Sequence, residues 1–137
     1  MRLPIQIECV VYKKNPLKFL ILKRISSRGD FWQSVTGGYE EGDTSLKNVA
    51  WRELNEELNL KKDDVVKSSD IIKESQFEQE GFYYTEFSFS FEVKESFEPT
   101  LSEEHSEFKW LSKDEALQHL KFDSNKEAIK KACEKVN

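Results

Sequence analysis

Basic excess, long apolar runs and cysteine are all scarce in this chain, and each scarcity removes a class of function. There are 21 Lys and Arg against 26 Asp and Glu, a formal charge of −5. Such a surface lacks the cationic stripe that duplex nucleic acid requires, so no duplex partner is expected. No apolar stretch reaches the roughly 20 residues of a membrane-spanning helix, so no membrane partner is expected either. Residues 1 to 12 lack the apolar centre of a secretory leader. The two cysteines, Cys9 and Cys133, are too few for a disulfide framework or a cysteine zinc site. They read as reduced thiols of a cytoplasmic protein. No repeat, low-complexity tract or linker interrupts the 137 residues, which fit one domain spanning 1–137.

What is present is a mixture of strand and helix signals. IQIECVVY (5–12) is apolar and β-branched and predicts a buried strand. Asn15-Pro16 marks a turn, and FLILKR (19–24) predicts the partner strand of a hairpin. FWQSVTGG (31–38) predicts a short extended piece ending in glycines. TSLKNVAWRELNEEL (44–58) predicts a helix capped by Asp43, Thr44 or Ser45. KKDDVVKSSD reads as a charged connection, and a strand is expected within 70–79. FYYTEFSFSFEV (82–93) is the clearest strand, with Phe87, Phe89 and Phe91 on one core face. FKWLS (108–112) predicts a last strand. Helices follow at 113–120, capped by Ser112, and 124–136, capped by Ser124. Strands around two to three helices predict an α/β domain with a mixed sheet.

The helix at 44–58 carries an unusual acidic cluster. With about 100° per residue and Leu46 at zero, Val49 falls near 300°, Ala50 near 40° and Leu54 near 80°. Glu53 then falls near 340°, Glu57 near 20° and Glu56 near 280°. A solvated acidic face belongs opposite the apolar stripe, yet Glu53 and Glu57 share its azimuth. Like charges three and four residues apart destabilise a bare helix. Arg52 can pair with Glu56 but cannot neutralise all three acids. Hard divalent cations such as Mg²⁺ or Mn²⁺ take carboxylate oxygens and would do so.

The same residues resemble the Nudix box, G-x5-E-x7-R-E-U-x-E-E-x-G-U with U aliphatic. Arg52-Glu53-Leu54-Asn55-Glu56-Glu57-Leu58-Asn59-Leu60 fits its second half at every position but one. Asn59 replaces the glycine, and Asn is the next-best residue for a left-handed helix end. With Gly37 as the opening glycine, Asp43 takes the place of the first glutamate. Eight residues rather than seven then separate it from Arg52, the extra one being expected in the first helical turn. FWQSVTGGYEEGDT and EEHSEFKWLSKDEALQHLKFDSNKEAI resemble the dihydroneopterin triphosphate pyrophosphatase and dATP pyrophosphohydrolase branch of that superfamily.

The resemblance implies a Nudix-type α/β/α sandwich and a Mg²⁺-dependent pyrophosphohydrolase, Mn²⁺ being the alternative ion. The expected partner is a small molecule, a nucleoside or pterin triphosphate, cleaved to a monophosphate and pyrophosphate by a monomer or homodimer. Catalytic roles would fall to Arg52, Glu53, Glu56, Glu57 and Glu104. Metal ligation would fall to the Gly37 carbonyl with Glu53, Glu56, Glu57 and Glu104, Glu103 being the neighbour with which Glu104 competes. Arg52 would orient the acids through Asp43 or Glu41. Substrate contacts would come from Arg24 to phosphate, Trp32 by ring stacking, and Gln33 and Asn125 at ring edges. The plain alternatives are a surface arginine and a core tryptophan. His105 reads as packing or capping. A different class, a non-catalytic nucleotide-sensing module of the same fold, is favoured by Asp43 and Asn59 and opposed by the intact Glu53, Glu56 and Glu57.

Overall fold

A computed structural model describes residues 2–136. Its frame is β1 (Arg2–Lys14), a strand paired along both edges. One edge runs parallel to β7 (Phe82–Val93), in register from Ile5↔Thr85 to Tyr12↔Glu92. The other edge is shared. Its N-terminal half is antiparallel to β4 (Val35–Glu40) and its C-terminal end to β2 (Leu17–Arg24). β2 also pairs with β3 (Trp32–Gln33) and β8 (His105–Leu111). β5 (Val65–Ser68) and β6 (Lys73–Gln79) complete the sheet on β7. The result is an eight-stranded mixed sheet.

Alternation along β1 decides what lies on each face. Ile7, Cys9 and Val11 point to one side, where Val49, Ala50, Leu54 and Leu58 of α1 (Leu46–Leu58) bury them. Phe89, Phe91 and partly buried Phe87 join this core, as their spacing predicts. Val10 and Tyr12 point to the other side. There Phe19 and Ile21 meet Ala116, Ala128, Ile129 and Ala132 of α2 (Lys113–His119) and α3 (Asp123–Lys135). Helices on both faces of a mixed sheet make the α/β/α sandwich. Each fully buried Leu or Phe here contributes about 1.5–3 kcal/mol, so two separate apolar interfaces fix the helices independently. Among the described residues no helix is long and apolar enough to cross a membrane.

Several boundaries differ from the sequence expectation. The charged segment after α1 contains a 3-10 turn at 62–64 and the strand β5. β5 is short and largely exposed, so it lacks the apolar alternation that announces a strand. Ser124 does not cap α3, which begins at Asp123 after Phe122 with no side-chain cap. Ser45 does cap α1, its Oγ accepting from Asn48 N–H at 3.1 Å. Asp43 and the additional residue precede α1 instead of entering its first turn. Asn59 ends the helix at φ 55°, ψ 34°. Its N–H donates to Asn55 O, and Leu60 N–H donates to Leu54 O.

One residue of β1 breaks the apolar pattern of the α3 face. Glu8 is fully buried. It accepts from Ser88 Oγ at 2.7 Å and from Asn125 Nδ2 at 2.5 Å. Burial first, and then the charge of Glu86, push its pKa from 4.5 to about 7.

Asn59→Ala should lower stability by about 1 kcal/mol, because a Cβ without a local polar partner is disfavoured in the left-handed region. Asn59→Gly should cost nothing, and urea denaturation of the three proteins measures both. Glu8 makes a pH prediction. Between 4.5 and about 7 the folded carboxyl holds a proton that the unfolded one releases, so stability falls as pH rises across that window. Glu8→Gln should flatten this decline in urea midpoints between pH 5 and pH 8, and an unaltered slope would contradict the assignment.

Candidate active site

The carboxylate helix meets the sheet at its glycines. β4 pairs Ile7↔Gly37, so Gly37 faces α1. A Cβ added there would stand 2.1 Å from Glu53 Cδ. Only glycine lets the Glu53 side chain lie against the strand. Glu53 is 8% exposed, and burial followed by the neighbouring Glu56 raises its pKa to about 7. Arg52 opposes this. Its Nη1 reaches Glu53 Oε1 at 3.1 Å and Glu56 Oε2 at 3.5 Å. Its Nη2 donates to Gly38 O at 3.0 Å and to Asp43 Oδ2 at 2.9 Å. The partner of Arg52 is therefore Asp43, not Glu41. Hydrogen bonding from Arg52 in turn holds the Asp43 carboxyl below its usual range.

The C-terminal end of α1 gathers the rest. Its last carbonyls have no partner within the helix. Ser102 N–H donates to Glu57 O at 3.2 Å and Thr100 N–H to Leu58 O at 3.0 Å, docking the loop before β8 onto the helix. Ser102 Oγ then donates to Glu57 Oε2 at 2.9 Å. His105 is buried, and its Nδ1 lies 3.0 Å from the same oxygen, off the line of an ideal hydrogen bond. Burial pushes Glu57 up, but His105, Glu104 and Ser102 outweigh it and hold its pKa below normal. Glu104 moves the opposite way, raised by burial and then by its hydrogen bond with Glu57. Glu104 lines the cavity described below and Glu103 is exposed, so Glu104 is the late carboxylate brought to the cluster. Arg28 pairs with it at 3.0 Å.

These acids border an open cavity of about 760 Å³. At one end stand Gly37, Gly38, Glu53, Glu104, Arg24 and Arg28. Arg24 Nε is buried with no hydrogen-bond partner. At the other end stand Phe31, Phe77, Phe122, Gln6, Glu86 and Asn125. Gln33 lines the cavity and its Nε2 lies 3.3 Å from His105 Nε2. Trp32 is not among the lining residues. It packs edge-on to His119 at 6.0 Å beneath Lys109, in the core under α2 and α3. The aromatic rings that do face the cavity are its sequence neighbour Phe31 and, from the start of α3, Phe122, in edge contact at 5.0 Å. Strand alternation sends Trp32 and Phe31 opposite ways, and a quoted motif cannot say which ring faces in.

The donors suit a hard divalent cation. They are carboxylate oxygens and a strand carbonyl that no side chain shields. The raised Glu53 pKa marks negative charge that Arg52 leaves uncancelled. Among the described residues no three acids, His or Cys already form a closed ligand set. Glu53, Glu57 and Glu104 hold Arg52, His105 and Arg28 instead, and Glu56 points outward with its side chain 53% exposed. Sequence reasoning missed Arg28, Phe31, Phe122, Glu8 and Glu86. For the two acids a signal existed: each is a lone carboxylate inside an apolar or aromatic strand.

Comparison with known proteins agrees with this arrangement. A model of the NUDIX domain matches residues 3–133. The chain is 35% identical over 133 residues to the dihydroneopterin triphosphate diphosphatase of Haemophilus influenzae, covering 89% of this chain and 82% of that protein. It is similar in structure to the Escherichia coli dihydroneopterin triphosphate pyrophosphohydrolase, with a TM-score of 0.82 and 29% identity over 94% of each chain. It is similar also to a Listeria monocytogenes protein described as a NUDIX hydrolase, with a TM-score of 0.80 and 32% identity over 96% and 93% of the two chains. The chain belongs to the NUDIX family and is a Nudix hydrolase, an enzyme that acts on phosphoric anhydrides.

Proposed function

We propose that this enzyme uses Mg²⁺ or Mn²⁺ to hydrolyse a pterin or purine nucleoside triphosphate to its monophosphate and pyrophosphate. The observation that carries the reading is a single cavity with two unlike ends. Carboxylates and guanidiniums occupy one, aromatic rings and buried amides the other. A triphosphate ester has the same two ends. The similarity to the Haemophilus influenzae diphosphatase supports the pterin member of the class.

The Gly37 carbonyl with Glu53, Glu56, Glu57 and Glu104 would hold the divalent cation. When bound, it neutralises phosphate oxygens and lowers the pKa of water. Arg24 and Arg28 add fixed positive charge where the phosphates enter. Arg52, braced by Asp43 and Gly38 O, keeps Glu53 in place. Glu104 takes the proton of the attacking water as the new P–O bond forms. The bridging P–O bond breaks and pyrophosphate leaves. Phe31 and Phe122 contact the ring, and Gln33 and Asn125 meet its edge. Trp32 supports α2 from the core and has no substrate role.

Pyrophosphate release should appear with 7,8-dihydroneopterin triphosphate, GTP or dATP in the presence of Mg²⁺ and vanish with EDTA; no turnover on any of them would overturn the reading. Glu57→Gln should lower kcat by about 10²-fold or more, the scale lost with one charge-stabilising group, while circular dichroism stays that of the parent. Gly37→Ala should lose a comparable factor. The added methyl displaces the Glu53 carboxylate, and full activity in this variant would remove the Gly37–Glu53 contact from the site.

A further inference from the structure

The far end of the cavity is lined by hydrogen-bond acceptors that the protein leaves unused. Gln6, Glu8 and Glu86 lie on one face of neighbouring strands, since β1 and β7 run parallel with Gln6↔Glu86 and Glu8↔Ser88 in register. Phe77 of β6 faces Tyr84 on the same side, their rings stacked at 5.3 Å. Glu86 is 3% exposed and lines the cavity. Its Oε2 accepts from Gln6 Nε2 at 2.7 Å. Its Oε1 is buried with no hydrogen-bond donor, the Lys73 ammonium standing 3.7 Å away. Asn125 is also 3% exposed. Its Nδ2 is committed to Glu8 Oε2, and its Oδ1 is buried and unpartnered.

Buried polar atoms in native proteins find partners, and each one left alone costs about 1–3 kcal/mol. Two such atoms at the wall of one cavity point to a ligand that completes them. Both are oxygens, so the ligand must bring donors. A 2-amino-4-oxopyrimidine ring, as in a pterin or guanine, presents an exocyclic N–H beside a ring N–H. Adenine presents one donor beside an acceptor on the equivalent edge, and its acceptor would face an oxygen.

We infer that Glu86 and Asn125, held by Gln6 and Glu8, select substrates whose ring carries the 2-amino-4-oxopyrimidine edge over those carrying adenine. Glu8 is a positioning residue, because it fixes the Asn125 amide so that the oxygen and not the nitrogen faces the cavity. The inference rests on the proposed triphosphate hydrolysis and narrows its substrate class.

The test compares kcat/KM for 7,8-dihydroneopterin triphosphate, GTP, ITP and ATP with Mg²⁺ present. Hypoxanthine lacks only the 2-amino group. The parent should prefer the pterin and GTP over ITP and ATP by about 10-fold or more, the discrimination expected of one good bidentate pair. Glu86→Gln swaps one acceptor for a donor and should collapse the GTP-to-ATP ratio towards one. Binding of GMP, IMP and AMP to the parent, by calorimetry, gives the same ranking without turnover or a variant that might misfold. Equal affinity for the three monophosphates, or a GTP-to-ATP ratio unchanged in a folded Glu86→Gln protein, would overturn the inference. Either result alongside measurable pyrophosphate release would leave the proposed hydrolysis standing, whereas no release from any triphosphate defeats that broader reading.

Discussion

The contact between Gly37 and Glu53 sets the geometry of the site. α1 approaches β4 so closely that the glutamate side chain occupies the volume of a missing Cβ. Glycine in a strand ordinarily weakens it through lost packing and greater chain entropy. Here the steric term wins, since an alanine methyl 2.1 Å from Glu53 Cδ has no tolerable position. The contact leaves the backbone carbonyl of the strand open beside a buried carboxylate. It also explains why the acids lie on the apolar azimuth of α1. Leu54 and Leu58 anchor the helix to the sheet, and Glu53 and Glu57 are carried inward with them.

Burying several acids together demands compensation, and each receives it differently. Arg52 forms a hub between Glu53, Glu56, Asp43 and Gly38 O. Glu57 receives Ser102 and His105, and Glu104 receives Arg28. The compensation is uneven: Glu53 and Glu104 are shifted up while Glu57 is shifted down. A cluster with exchangeable cation partners and surplus negative charge is prepared to accept a stronger cation. The docking of Thr100 and Ser102 on the helix end makes this a property of the backbone, because it brings the Glu104 loop to Glu57.

The parts of this design visible in the sequence are those governed by local periodicity. Alternation located β1, β2 and β7, and helical spacing put Glu53 and Glu57 on the core side of α1. Boundaries failed where a tertiary neighbour supplied the order. β5 exists because β7 offers it an edge, and its own residues are largely exposed. Trp32 and Phe31 could not be distinguished by composition, since either ring suits a pocket, and only the pairing of β3 with β2 decides which side each takes. The additional residue before Arg52 looked like a distortion of α1. The chain absorbs it ahead of Ser45, where a loop accommodates length more easily than a helix does.

Glu8 and Glu86 show how a polar residue in a strand can be misread as neutral to function. A lone carboxylate among apolar neighbours is costly without partners, and folding alone would favour replacing both by hydrophobes. Val10, two residues beyond Glu8 on the same face, is such a hydrophobe, buried beneath α3. The difference lies in what covers each position. Where α2 and α3 close over the sheet the face is apolar, and where the helices stop it turns polar and lines the cavity. The single face of β1 and β7 thus changes its chemistry along its length, so that the strand holding the fold together also forms the wall against which a ligand's ring would rest.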